Sequence, residues 1–147
     1  MDIIKEAKDI LVLQNSDEKR DRLEQLNDIF EYSNAGLEQK ELREGLQLLL
    51  GAALQEENKQ VKESFFHTLH SAIVHRNVDD LINWDTLASS LSSLDKELLA
   101  YAFTMLGSST QAKSLQVLEP YTYSTDPEIR SWASEAINDL KLSLPSD

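Results

Sequence analysis

The sequence predicts an all-α fold made of antiparallel helical hairpins, on three observations. Apolar residues recur at spacings of three and four through nearly every window, which is the pattern of a helix with one buried face. Only four glycines and three prolines interrupt 147 residues, leaving little turn chemistry outside short connections. One helix start recurs, in Asn58-Lys59-Gln60-Val61, Asp95-Lys96-Glu97-Leu98 and Asp126-Pro127-Glu128-Ile129.

Taken in order, the periodicity places helices over residues 2–14, 17–33, 37–54, 57–75, 78–92, 95–107, 111–122 and 126–142. Through residue 55 the assignment rests on periodicity alone, with Gly36 marking the end of the second helix. The fifth helix has Asn77 as its cap, Asp79 and Asp80 near its positive end, and an apolar stripe of Leu81, Trp84, Ala88 and Leu91. That stripe makes Trp84 a core residue. Asp95 caps the sixth helix with Glu97 behind it, and Gly107 ends it. The seventh closes on Tyr121 and Tyr123, one ring facing inward and one outward. The eighth has Asp126 as cap, Glu128 in its first turn, and Pro127 where a missing amide proton costs nothing. Pairing neighbours gives a single domain of four hairpins, 2–33, 37–75, 78–107 and 111–142.

From the recurring start, apolar positions continue four and eight residues on: Val61, Phe65, Leu69; Leu98, Ala102, Leu106; Ile129, Ala133, Ile137. The anchors Val61, Leu98 and Ile129 are 37 and 31 positions apart, within the period range of helical-hairpin repeats. In the last hairpin, Leu115-x-x-Leu118-x-Pro120 resembles the end of the first helix of a HEAT repeat. Asp126-Pro127-Glu128-Ile129-Arg130-x-x-Ala133 is similar to the start of the second. The resemblance to the HEAT and armadillo repeat families implies a right-handed α-solenoid whose second helices line an inner, protein-binding surface. It also implies a ladder of charged contacts through the position of Arg130. The matching positions hold Lys62 and the apolar Leu99, so the repeats are degenerate.

Charge narrows the function. Fourteen basic against 26 acidic side chains give a formal charge of −12. The deficit is spread along the chain: 7 basic against 12 acidic in residues 1–50, 4 against 8 in 51–100, and 3 against 6 in 101–147. A nucleic-acid binder needs a basic face, and the only basic run, Glu18-Lys19-Arg20-Asp21-Arg22, is interleaved with acids. A basic protein is the expected partner, attracted by the field of the carboxylates. No cysteine is present, which excludes disulfides, thiolate metal sites and a cysteine nucleophile. No run is long and apolar enough for a membrane span, and a soluble, cytoplasmic monomer is expected. His67 and His70 with Glu63 could in principle face a metal, but these spacings are commonplace and surface histidines are expected, with no cofactor. No phosphate loop, serine elbow or His-Glu-x-x-His pattern occurs, so no enzyme activity is expected.

The distinctive residue is Trp132. At about 100 degrees per residue it lies about 84 degrees from the centre of its helix's apolar stripe, at the stripe's edge. Stacked repeats would align it in a column of Gln60, Ser64, His67; Glu97, Tyr101, Thr104; and Glu128, Trp132, Glu135, with Asp139 one turn further. Two roles stay open for Trp132: a cover for the end of the last hairpin, or an aromatic anchor ringed by acids. The functional expectation is a non-enzymatic protein-binding module. Its most concrete form is an immunity-type inhibitor that occludes a basic toxin such as a nuclease; the alternative is an adaptor or scaffold module that binds a peptide or helix of a larger assembly.

Overall fold

The computed structural model describes residues 2–33, 36–76, 78 and 82–144. Among them the chain is all helical: α1 Ile3–Leu11, α2 Ser16–Tyr32, α3 Gln39–Gln55, α4 Lys59–His75, α5 Asp85–Ser90, α6 Lys96–Gly107, α7 Lys113–Leu118 and α8 Pro127–Ser143. Short 3-10 turns, Leu91–Ser93 and Glu119–Tyr123, follow α5 and α7. The backbone divides into two compact units, Met1–Asn83 and Trp84–Asp147.

In the first unit the helices pack on alternate neighbours, α1 on α3 and α2 on α4, with α3 also against α4; α1 touches α2 only lightly. The buried stripe of α4 contains all three predicted positions, Val61, Phe65 and Leu69, together with Phe66 and Ala72. Among the described residues, three of the unit's four helix starts, those of α1, α2 and α4, carry side-chain caps, while Glu38 before α3 provides none. Asn58 Oδ1 accepts from the amides of Gln60 and Val61 at 3.0 and 3.1 Å. Asp2 and Asn15, which periodicity alone did not single out, accept from Lys5 N and Glu18 N at 3.0 Å each. The far end of α2 is closed by tertiary contact instead. The Arg76 guanidinium donates to the carbonyls of Ile29 (2.7 Å), Phe30 (3.1 Å) and Ser33 (2.8 Å), adding to the Ser33 amide already on Ile29 O and reaching two further acceptors at the helix terminus. Gly36 lies beyond that end rather than at it, because α2 stops at Tyr32 with Ser33 as its C-cap. Gly45 allows α1 and α3 to meet: a Cβ there would collide with the Ile3 side chain and sit 3.2 Å from the Ile3 carbonyl oxygen.

In the second unit α6 packs on α8. Leu98, Ala102 and Leu106 of α6 and Ala133, Ala136 and Leu140 of α8 are all buried, while Ile129 and Ile137 are only partly covered. Gly107 is the last residue of α6, and a Cβ on it would lie 3.0 Å from the Ala136 carbonyl oxygen and 3.1 Å from its Cα. The tyrosines divide as expected. Tyr121 packs edge-on against Phe103 with centroids 5.1 Å apart, and Tyr123 is 79% exposed.

Three helices depart clearly from the extents their periodicity predicts, the first being α1, which ends at Leu11 with Val12 as its C-cap instead of continuing to residue 14. Within the described part of the segment expected to be helical over 78–92, residues 82–84 are not helical, Asp85–Ser90 is α-helix and Leu91–Ser93 is a 3-10 turn. Where the helix passes into that turn, the Ser89 and Ser90 hydroxyls donate to the Thr86 carbonyl at 3.1 and 2.7 Å, and Ser93 donates to Ser90 at 2.8 Å, bonds that compete with the ladder at this C-terminal end. Trp84 is buried at 4% exposure, yet it stands at the N-cap position instead of on a helical stripe. Asn77, Asp79, Asp80 and Leu81 fall outside the described residues. The seventh helix ends at Leu118 and tightens to 3-10 geometry over Glu119–Tyr123, where Pro120 has no amide to continue it.

Candidate functional site

Helix α8 presents Glu128, Trp132, Glu135 and Asp139 along one stripe, with the three carboxylates exposed and the indole partly covered. Asp126 fixes the start of this helix by accepting from Glu128 N at 2.9 Å and Ile129 N at 3.4 Å. Lys96, the first residue of α6, reaches over the face of Trp132. Its Nζ lies 2.9 Å from Asp126 Oδ2 and 2.8 Å from Glu128 Oε1, and stands 5.7 Å from the centroid of the Trp132 ring. One ammonium therefore joins two carboxylates and the face of an aromatic ring. Sequence reasoning missed Lys96 as a site residue. The available signal was its place directly after Asp95, which stands at the N-cap position of α6 but makes no side-chain cap bond there, contrary to the expectation.

The electrostatics follow from this contact. Hydrogen bonds to Glu128 and then Asp126 push the Lys96 ammonium up to about 12. The bond from Lys96, helped by the amides of Glu128 and Ile129, holds the Asp126 carboxyl below its ordinary 3.8. Lys96 thus contributes stability that is complete below its ordinary 10.5 and is lost as pH rises through about 12. Asp126 contributes stability that is present above 3.8 and is lost as pH falls through its depressed value. The Trp132 indole proton resonance is accordingly expected to hold its position from about pH 5 to 10 and to move outside that window. A transition centred near neutrality would contradict the assignment.

The rest of the predicted column is placed as follows. On α6, Glu97 is exposed and Tyr101 partly buried, while the Thr104 hydroxyl donates to the Ala100 carbonyl at 3.1 Å, which occupies its proton. In the first unit the equivalent residues of α4 face α2. Gln60 Oε1 accepts from Arg20 Nη1 at 3.3 Å, His67 Nδ1 lies 3.5 Å from Glu24 Oε2, and Thr68 donates to the Leu23 carbonyl at 3.0 Å. Ser64, between them, is only 7% exposed and presents almost no surface. Within each unit these positions lie along a seam between two helices, with Gln60, His67, Glu128 and Trp132 each engaged by the preceding helix of the pair. Arg130 makes a local bond to the Ser124 carbonyl at 2.8 Å.

Other surfaces carry less chemistry. Burial depresses the basicity of His70, and the neighbouring His67 and His75 add to the effect. Among the described residues no three His, Cys, Asp or Glu side chains are grouped to hold a metal ion. A shallow groove of about 390 Å³ on the first unit is lined by Ile4, Lys8, Glu44, Gln47 and Leu48, with one cation and one anion on its walls. No helix among the described residues is long and apolar enough to cross a membrane. No protein-family model matches the chain, and no curated protein or solved structure is significantly similar to it.

Proposed function

We propose that this chain is a monomeric, cytoplasmic, non-enzymatic protein-binding module built from degenerate HEAT-like hairpins, and that it takes a basic protein partner. Its most concrete form is an immunity-type inhibitor that covers the phosphate-binding surface of a toxin such as a nuclease. The observation that carries this proposal is the α8 stripe, where Glu135 and Asp139 are exposed beyond Trp132 on a chain of charge −12. The packing of α1 on α3, α2 on α4 and α6 on α8 supports the repeat architecture, since first helices stack on first helices and second on second in such proteins. Inhibition would be occlusion, with carboxylates speeding encounter and the aromatic ring holding the docked complex.

The adaptor alternative draws on the groove between α1 and α3, whose Ile4 and Leu48 could receive an apolar side chain of a peptide. Co-expression with individual basic toxins, followed by affinity capture, separates the two. Under the inhibitor proposal one toxin is neutralised, and Glu135→Lys with Asp139→Lys abolishes both rescue and capture. Capture should also fall steeply between roughly 50 and 500 mM salt. Capture that survives high salt and the double charge reversal, but is lost in Leu48→Asp, would establish the adaptor mode instead.

A further inference from the structure

Building on the proposal of a basic partner, we infer that Asp126, Glu128 and Trp132 form a receptor for an arginine side chain of that partner, and that Lys96 fills this receptor in the free protein. The chain displays what the site recognises, because it has already seated a cation of its own there. An ammonium lies between Asp126 Oδ2 and Glu128 Oε1 at 2.9 and 2.8 Å while facing the Trp132 ring. Lysine is the weaker fit. Its 5.7 Å distance to the centroid is near the outer limit of about 6 Å for a cation–π contact. Its ammonium is also a point donor, whereas a guanidinium is a flat fork that stacks on an indole and bonds two carboxylates at once.

Access and geometry agree with this assignment. The Glu128 side chain is 65% exposed and Lys96 39%, so an incoming side chain reaches the carboxylates from solvent. Asp126 Oδ1 is committed to the amides of Glu128 and Ile129, which holds the α8 start in place when Lys96 leaves. Lys96 hangs from α6 by a flexible four-carbon stem and can swing into water without moving its helix. Displacement exchanges one cation for another on the same carboxylates, so the partner gains only the difference between guanidinium and ammonium. Lys96 thereby acts as a threshold that excludes weak cationic ligands.

The test uses acetylated hexa-arginine amide as probe and the two tryptophan indole N–H resonances as readout, Trp132 being identified by Trp132→Phe. Hexa-arginine should shift the Trp132 resonance saturably at low salt. Lys96→Met should bind about 3- to 10-fold tighter than the natural chain, while Lys96→Arg, which keeps an internal guanidinium, should bind no tighter. Hexalysine should bind more weakly than hexa-arginine, and equal affinities would overturn the arginine assignment. Unchanged or weaker binding by folded Lys96→Met would make Lys96 a plain tether between α6 and α8 and overturn the inference. A natural-chain measurement covers a variant that fails to fold: on saturation the Lys96 Nζ resonance should move to that of a solvated lysine, and its persistence beside a shifted Trp132 would sink the proposal. Hexa-arginine that binds without moving Trp132 overturns this inference while leaving the basic-partner proposal intact. No binding at all at low salt removes both.

Discussion

Phe66→Ala is expected to lower the free energy of unfolding by about 3–5 kcal/mol, the largest effect of any single truncation considered for this chain. Phe66 is fully buried on α4, and α4 packs against both α2 and α3, so the lost ring leaves a void at a helix that organises the first unit. The cost combines lost transfer energy with a cavity that neighbouring side chains fill only in part. Urea denaturation followed by far-UV circular dichroism measures it through the midpoint. A change below about 1 kcal/mol would mean that the surrounding helices collapse freely onto the gap, which close packing does not permit.

Arg76→Ala is expected to cost about 2–3 kcal/mol through a different mechanism. Removing the guanidinium strips donors from the Ile29, Phe30 and Ser33 carbonyls at the C-terminal end of α2. Arg76→Lys should recover only part of the loss, because one ammonium cannot present a planar fork to three acceptors. Thermal denaturation gives the magnitude, and hydrogen exchange locates it. Amides in the last turn of α2 should exchange faster in the variant, whereas those of α3 should not. A uniform acceleration across the unit would show that Arg76 acts on global packing instead of on the helix end.

Much of the helix pattern was legible in the sequence because apolar spacing encodes burial directly. The α4 positions Val61, Phe65 and Leu69 and the α6 positions Leu98, Ala102 and Leu106 are buried as their four-residue steps require. The end of α5 was not legible from spacing, since its serines bond backwards to carbonyls where the helix gives way to the 3-10 turn, without altering the apolar pattern. For the site, a helical wheel located Trp132 at the edge of its stripe but could not say what lies over it. Lys96 is 36 positions earlier, and its contact depends on the register between α6 and α8, which no single wheel contains. Ser64 illustrates the converse limit. Its place on the wheel matched the column, yet the small hydroxyl sits in the seam with α2, where Gln60 and His67 reach out from either side and it does not.

The packing of alternate neighbours in the first unit has a kinetic meaning. Because α1 is covered chiefly by α3, and α2 chiefly by α4, residues 3–32 alone cannot shield their apolar faces from water. Covering α1 and α2 therefore requires the closure of long stretches of chain, bringing α4 back to α2 across contacts such as Thr68 to Leu23, 45 positions apart, beside the local pairing of α3 with α4. This raises the contact order above that of a bundle assembled hairpin by hairpin, and folding is expected to be correspondingly slower. The same arrangement ties the finished unit together, since α1 and α2 cannot peel away as a pair without exposing the faces of α3 and α4 that they cover.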